Sequence, residues 1–131
     1  MREGCEKDSQ MDDKTSIVKI ATEGGRATVG FRSTTVSDME AVLAASRQIK
    51  DYIEKNHPRQ IIFDFDKVRF FSSQVLGLLL DIRAKLEMYS GEVVISSINP
   101  QLHRVFKITN LDKIFRFFPD MASALKALGA N

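Results

Sequence analysis

Two carboxylates at the end of one predicted strand are the first residues whose types and spacing could do chemistry. Asp64 and Asp66 flank Phe65 in a run that is otherwise apolar from Ile61. Residues i and i+2 of a strand share one face, so the pair could hold Mg²⁺ or take part in phosphoryl transfer at the carboxyl edge of a parallel sheet. No third ligand or basic partner accompanies them, and Asp is common in turns. The pattern therefore favours a structural role, in which Asp66 caps a turn and Asp64 bonds to nearby backbone.

Two hydroxyls open the helix that follows this strand. Ser72 and Ser73 precede a run with helical periodicity from Gln74 to Tyr89. A helix N-terminus presents unpaired backbone N–H groups and a partial positive charge, so a hydroxyl there serves as a cap or as an acceptor for a phosphate. Capping needs no partner, and residue chemistry alone therefore favours the cap, while phosphorylation stays open as an alternative.

Catalytic and metal sites are not indicated elsewhere in the sequence. His57 and His103 have no Cys, Glu or second His at ligand spacing, which argues against a metal site. Cys5 is the single cysteine, so no disulfide can form within the chain. The sequence has no Gly-rich phosphate loop, nucleophile elbow or dinucleotide-binding motif. We therefore predict a protein that is not an enzyme and that uses neither cofactor nor metal.

Length and charge limit the classes of protein. The chain has 131 residues with 44% hydrophobic and 27% charged side chains, as expected of one globular domain. Residues 1–14 carry three basic and five acidic side chains without periodicity, and we predict a disordered leader there, followed by a domain over 15–131. The remaining positive charge is scattered, which argues against direct nucleic-acid binding. The longest apolar run, residues 75–80, is too short to insert in a membrane, so we expect a cytoplasmic protein.

The order of the predicted elements gives the fold class. Gly24 and Gly25 suit a hairpin turn between the first two strands, and Ser37 with Glu40 forms a capping box for the first helix. The element order is β-β-α-β-α-β-α-β-α, which predicts an α/β fold with a single mixed, mostly parallel sheet, an N-terminal β-hairpin and flanking helices. The strands are expected near 16–21, 27–31, 60–65, 92–98 and 114–118, and the helices near 37–57, 73–89, 100–109 and 120–128.

Each of the two long helices carries one apolar stripe that should face the core. In the first helix the stripe is formed by Met39, Val42, Leu43, Ser46, Ile49 and Ile53. In the second helix, Leu79 and Leu86 lie near the centre of the stripe. Leu78 borders the polar face that holds Asp81, and an exposed apolar side chain there points to a surface for a partner.

Residues 68–77 read V-R-F-F-S-S-Q-V-L-G. This segment resembles the part of STAS domains that reads V-T-F-(apolar)-D-S-S-G-L-G. The resemblance extends back through 62–65 and forward through 91–95 and 105–115. The last run is similar to the family's V-(apolar)-x-x-T-G-L-D-x-x-(apolar), with Asn110 in place of glycine. The similarity covers about residues 16–128, and the element order deduced above agrees with the STAS fold.

The STAS family includes anti-sigma factor antagonists and cytoplasmic modules of sulfate transporters. The resemblance to the antagonists implies a partner that is both an anti-sigma factor and a serine kinase, and a phosphatase that reverses its mark. Unmodified antagonist captures the anti-sigma factor and frees the sigma factor, whereas phosphorylation breaks the capture. We therefore expect an antagonist that controls transcription by docking to such a regulator. Lack of a membrane segment argues against a transporter fragment.

The chain departs from the family pattern where the phosphate is carried. With Leu76 and Gly77 aligned, the family's Asp falls on Ser72, its first Ser on Ser73 and its phosphorylated Ser on Gln74. Glutamine cannot accept a phosphate. Three outcomes stay open: Ser73 is modified instead, a threonine of the connection before the first helix is used, or the module binds without a switch.

The docking surface is expected to combine that connection, residues 32–35, with the loop before the second helix and the first two turns of this helix. The residues expected to contact a partner are Thr34, Thr35, Ser72, Ser73, Gln74, Leu78 and Asp81. Two alternatives remain: a non-switching scaffold in a larger STAS assembly or a lipid-transport complex, and a small Mg²⁺-dependent phosphotransfer protein that uses Asp64 and Asp66. The sequence leaves oligomeric state and nucleotide binding open.

Overall fold

The computed structural model describes residues 17–128, so the leader predicted over 1–14 lies outside the described residues. The strands are β1 (Val18–Glu23), β2 (Arg26–Phe31), β3 (Thr35–Val36), β4 (Gln60–Asp64), β5 (Phe70–Phe71), β6 (Glu92–Ser96) and β7 (Arg116–Phe118). The helices are α1 (Met39–Asn56), α2 (Ser73–Glu87), α3 (Pro100–Ile108) and α4 (Met121–Ala127), with a 3₁₀ turn over Leu111–Lys113.

Five strands form the central sheet in the order β1-β2-β4-β6-β7. β1 and β2 form an antiparallel hairpin around Gly24, which has a φ of 62°, and the other neighbours are parallel. The register places Phe63 of β4 between Val29 of β2 and Ile95 of β6. The predicted fold class, a mostly parallel sheet with an N-terminal hairpin, is confirmed.

A second sheet was not predicted from the sequence. β3 and β5 pair in parallel, with Thr35 opposite Phe70 and Val36 opposite Phe71. Each strand has two residues, which is too short for the alternation of polar and apolar residues by which strands are recognised. β3 comes just before α1 and β5 just before α2, so this small sheet joins the segments that lead into the two helices. It positions the surface described below.

The start of α1 differs from the predicted capping box. Asp38 is the N-cap, and its carboxylate accepts a hydrogen bond from the backbone N–H of Glu40 at 3.3 Å. Asp is as good an N-cap as Ser, and Asp38 has the extended backbone that this position needs, with φ −74° and ψ 116°. The helix therefore begins one residue later than a cap at Ser37 requires.

The core lies on both faces of the sheet. On one face, Ile61 and Phe63 join the buried side chains of α1, α2 and α3. On the opposite face, Ile62 and Val94 pack against Ala124 of α4. The predicted burial of Ile49, Leu79 and Leu86 is confirmed, since each has a relative exposure of 0%.

Three predictions about the helix stripes are wrong. Met39 and Leu43 are 53% and 50% exposed, and Leu78 is only 3% exposed. Both helices bury the same i, i+3, i+4, i+7, i+11 pattern, which starts at Val42 in α1 and at Val75 in α2. Leu78 belongs to this pattern, whereas Met39 and Leu43 lie beside it. The centre of each stripe is as predicted, and the errors lie at its margins, where Met39 and Leu43 fall outside the buried pattern and Leu78 falls inside it.

Candidate docking surface

Backbone hydrogen bonds join the connection before α1 to the loop before α2. The carbonyl of Thr34 accepts from the N–H of Arg69 at 2.7 Å and from that of Phe70 at 3.1 Å. The carbonyl of Val36 accepts from the N–H of Ser72 at 2.9 Å. The segments that the sequence analysis assigned to one surface are therefore in direct contact, through β3 and β5.

The two short strands alternate between buried and exposed side chains. Val36 and Phe71 point inward with exposures of 2% and 6%, and the ring of Phe71 makes edge contacts with Phe65 and Phe106 at centroid distances of 5.8 and 5.9 Å. The outward side chains are Thr35 and Phe70. Phe71 thus anchors the loop in the core, while its neighbour presents an aromatic ring, 54% exposed, to solvent.

The two serines of the loop have different environments. Ser72 is the N-cap residue of α2 by backbone conformation, with φ −87° and ψ 168°, but its side chain makes no capping bond. Its Oγ is buried and has no hydrogen-bond partner among the described residues. Ser73 and Gln74, in the first turn, are exposed. Of the two serines, Ser73 is the one whose side chain is accessible for modification.

Two other sequence-predicted contact residues behave differently. Leu78 is buried in the core, so it cannot contact a partner directly. Asp81 is exposed, and its carboxylate lies 3.4 Å from the ammonium of Lys50 on α1. Ion pairs between exposed side chains contribute about 0–1 kcal/mol, so Asp81 stays available to a partner.

Sequence reasoning missed the apolar part of this surface. Phe70 donates its backbone N–H to the carbonyl of Thr34. Met39 begins α1 three residues after Val36 of β3. Leu43 lies one helical turn beyond Met39 on the same side of α1. The exposure of Met39 and Leu43 could have been predicted, because neither residue belongs to the i, i+3, i+4, i+7, i+11 pattern that starts at Val42. We define the docking surface as Thr34, Thr35, Met39, Leu43, Phe70, Ser73 and Gln74.

The charges around the docking surface balance. Three basic and three acidic side chains lie in the two segments that form it, residues 32–40 and 66–74. They are Arg32, Lys67, Arg69, Asp38, Glu40 and Asp66. Because the local net charge is near zero, adding a phosphate dianion would make the whole surface negative.

The Asp64 side chain stabilises the turn that leads into this loop. An oxygen of the Asp64 carboxylate accepts a hydrogen bond from the backbone N–H of Asp66 at 3.0 Å. This is the structural role that the sequence pattern favoured for Asp64. Within residues 17–128, no cluster of three or more His, Cys, Asp or Glu side chains is arranged to hold a metal ion.

Comparison with known proteins places this arrangement in a family. The family model described as STAS domain matches residues 26–124. The chain belongs to the STAS domain family. An anti-sigma F factor antagonist of Paenibacillus polymyxa is similar to this STAS domain, with 25% identity over 81 residues that are 62% of this chain and 69% of that protein. None of the helices in the described part of the chain is long and apolar enough to span a bilayer.

Solved structures share the fold of this STAS domain. An anti-sigma-factor antagonist (STAS) domain protein from Planctomyces limnophilus superposes with a TM-score of 0.78 at 18% identity, with 88% of this chain and 99% of that chain covered. An anti-sigma factor antagonist from Mycobacterium paratuberculosis gives a TM-score of 0.72 at 25% identity, with 84% and 91% covered. The expected STAS fold is thereby confirmed.

Proposed function

We propose that this STAS domain is a non-enzymatic anti-sigma factor antagonist that works in the cytoplasm. It docks to an anti-sigma factor with serine kinase activity and so controls transcription. The observation that carries the proposal is the pairing of β3 with β5, which joins Thr34 and Thr35 to the start of α2. The antagonists similar to this chain support the assignment.

The exposed ring of Phe70 is the expected anchor of the docking surface. Aromatic side chains and methionine are enriched at the centres of protein interfaces, where a few residues contribute most of the binding energy. Phe70 is 54% exposed and is held in place by its buried neighbour Phe71. Met39 and Leu43 add apolar area on α1, and the hydroxyls of Thr34 and Thr35 supply polar contacts at the edge.

Ser73 is the residue we propose as the phosphorylation switch. It is exposed in the first turn of α2, where a dianion is favourable for the helix. The phosphate would stabilise the helix terminus and at the same time place negative charge within an otherwise neutral surface. Capture of the partner would weaken because its complementary surface must then accept a charged, strongly hydrated group. A phosphatase would restore capture.

Binding to an anti-sigma factor kinase from the same organism tests the proposal. Isothermal titration should give a defined Kd with the wild-type chain. Phe70→Ala should weaken binding at least about tenfold, as loss of a central aromatic contact does. Ile108→Ala is the matched control: it truncates another exposed side chain, 73% exposed, at the end of α3. Equal binding by both variants would show that docking does not use Phe70.

Incubation with the same kinase and ATP tests the switch separately. Mass spectrometry should locate the phosphate on Ser73, and Ser73→Ala should bind normally without being modified. Ser73→Asp should keep the fold but bind more weakly. If the kinase binds and modifies neither Ser73 nor a threonine, the module binds its partner without a switch. A phosphate on Thr34 or Thr35 would move the switch to the neighbouring segment.

A further inference from the structure

A cavity of about 190 Å³ lies at the carboxyl ends of β2 and β4. The register of the sheet brings three of its lining residues into one row, in which Gly30 of β2 lies between Lys19 of β1 and Asp64 of β4. Asp64 follows Ile62 by two residues, so the row is on the face of the sheet that packs against α4. In α/β sheets, ligands commonly bind at the carboxyl ends of the strands. This cavity is therefore a candidate ligand site, and none of its lining residues belongs to the docking surface.

Gly30 leaves the floor of this cavity without a side chain. It pairs in regular register with both neighbouring strands and has no positive φ, so neither a bulge nor a turn requires glycine here. A Cβ at this position would meet no atom of the described residues within 4 Å, so close packing does not require glycine either. Glycine weakens the interior of a strand, and it often marks a place where a ligand approaches the backbone closely. A ligand that rests on the backbone of Gly30 accounts for the missing side chain.

Charges of both signs surround the cavity without pairing to each other. The five charged side chains that line it are Lys19, Arg32, Lys67, Asp64 and Asp66. Within residues 17–128, none of the five forms an ion pair. The Asp64 carboxylate accepts one hydrogen bond, from the backbone N–H of Asp66, and this bond uses one of its two oxygens. Charged groups that line one space without pairing can each bind a complementary group of a ligand, and a few such groups fix its orientation.

The size and the charges of the cavity indicate the class of ligand. Sites for drug-sized molecules have volumes of about 300–1,000 Å³, so a smaller cavity suits a compact metabolite. The three basic side chains attract carboxylates, and the guanidinium of Arg32 can bind one of them through two parallel hydrogen bonds. The two aspartates would repel a plain dicarboxylate but attract an ammonium group. A compact molecule with two carboxylates and one ammonium group is therefore complementary to the whole cavity.

We propose that this cavity binds an acidic α-amino acid over Gly30. The carboxylates of the ligand bind the basic side chains, with Arg32 as the main contact, and its ammonium group binds Asp64. Asp64 is the nearer aspartate to the floor, because it lies beside Gly30 in the sheet register. Binding at this site requires no protein partner, so it is independent of the function proposed above.

Titration of the ¹⁵N-labelled full chain with sodium L-glutamate tests the class of ligand. The reference titration uses sodium chloride at the same ionic strength. L-Glutamate should cause saturable shifts of the backbone amide signals of Gly30, Arg32 and Lys67. Glutarate, which lacks only the ammonium group, should bind at least about tenfold more weakly, because one charged hydrogen-bonding group is lost. If L-glutamate causes no saturable shifts, or if glutarate binds as tightly, the cavity does not bind an acidic amino acid.

Gly30→Val tests the location of the site. Valine favours strands and meets open space at this position, so the variant should fold with at least wild-type stability. Its branched side chain would cover the floor and should weaken L-glutamate binding at least about tenfold. Thr28→Val is the matched control, because position 28 lies on the same face of β2 outside the cavity. Urea unfolding checks the stability of both variants. If Gly30→Val folds and binds L-glutamate as Thr28→Val does, the ligand does not rest on Gly30.

Two charge variants test the contacts without changing the floor. Arg32→Gln should weaken L-glutamate binding at least about tenfold, whereas Arg47→Gln, an exposed position of α1 outside the cavity, should bind as the wild type does. Asp64→Asn keeps an oxygen that can accept from the N–H of Asp66 but removes the charge, so it should narrow the difference in affinity between L-glutamate and glutarate. Equal binding by the two arginine variants, or an unchanged difference in Asp64→Asn, would overturn the proposal.

Discussion

The backbone N–H of Ser72 donates to the carbonyl of Val36 at 2.9 Å, while the hydroxyl of the same serine makes no hydrogen bond within the described residues. The start of α2 is thus fixed by a main-chain bond to β3. The other three α-helices within residues 17–128 have an Asp or Asn at the N-cap whose side chain accepts from the first turn. This difference leads to a stability prediction.

Ser72→Ala should change the free energy of unfolding by less than about 0.5 kcal/mol, because it removes no hydrogen bond. Asn99→Ala should cost about 1–2 kcal/mol. The Asn99 side chain accepts from the N–H of Leu102 at 2.9 Å and donates to the carbonyl of Val68 at 3.2 Å. Urea unfolding measures both values. If Ser72→Ala lowers the free energy of unfolding by more than about 1 kcal/mol, the energy of an ordinary N-cap, the hydroxyl of Ser72 is hydrogen-bonded in solution.

The exposed and buried leucines of the long helices should respond differently to truncation. Leu79→Ala should cost about 2–5 kcal/mol, since the side chain is fully buried. Leu43→Ala should cost less than about 0.5 kcal/mol, since half of the side chain is exposed. Thermal unfolding followed by circular dichroism measures the two variants side by side. Similar losses would mean that Leu43 packs into the core.

The helices and the main sheet were predictable because their hydrophobic patterns extend over many residues. β4 and β6 appear as apolar runs, and the buried pattern of α2 extends from Val75 to Leu86, about three turns. The small sheet was not predictable, because strands of two residues, such as β3 and β5, are too short to show an alternation of polar and apolar side chains. The hairpin of β1 and β2 was predictable from the pair Gly24 and Gly25, because adjacent glycines between two strands are typical of a tight turn with positive φ.

The docking surface was predicted only in part. The loop before α2 and the Thr34–Thr35 segment were assigned from a resemblance, and the structure brings them together. The exposure of Phe70 could not be read from the sequence, because Phe70 and Phe71 are identical in type and only strand pairing decides which ring points inward. Leu78 was misassigned because it lies about 60° from Val75 around the helix, at the margin of the buried stripe, where the sequence alone does not decide burial.

Gly77 within α2 and Gly91 between α2 and β6 should respond in opposite directions to substitution. A Cβ at Gly77, in the middle of α2, would meet no atom within 4 Å. Gly77→Ala should therefore stabilise the free domain by about 0.4–1 kcal/mol, because alanine favours the helix. At Gly91 a Cβ would lie 3.0 Å from Leu86, which is fully buried. Gly91→Ala should destabilise the domain, and urea unfolding of both variants checks the signs.

The carboxylate of Asp120 should contribute to the loss of folding stability at low pH. The backbone N–H of Ser123 donates to this carboxylate at 2.7 Å, and this bond, with a smaller contribution from the Ser123 side chain, holds the pKa of Asp120 below its ordinary value of 3.8. Since the folded-state pKa is lowered, the stabilisation is fully present above pH 3.8 and is lost as the pH falls through the folded-state value.

Asp120→Asn should therefore flatten the acid side of the stability curve, because asparagine caps α4 at every pH but does not titrate. The free energy of unfolding, measured by urea titration at a series of pH values around and below 3.8, should fall less steeply in this variant than in the wild type. Asp81→Asn, which removes an exposed carboxylate of α2 that pairs with Lys50, controls for the loss of one negative charge. If Asp120→Asn and Asp81→Asn lose stability in parallel with the wild type, the Ser123 bond does not couple α4 to protonation.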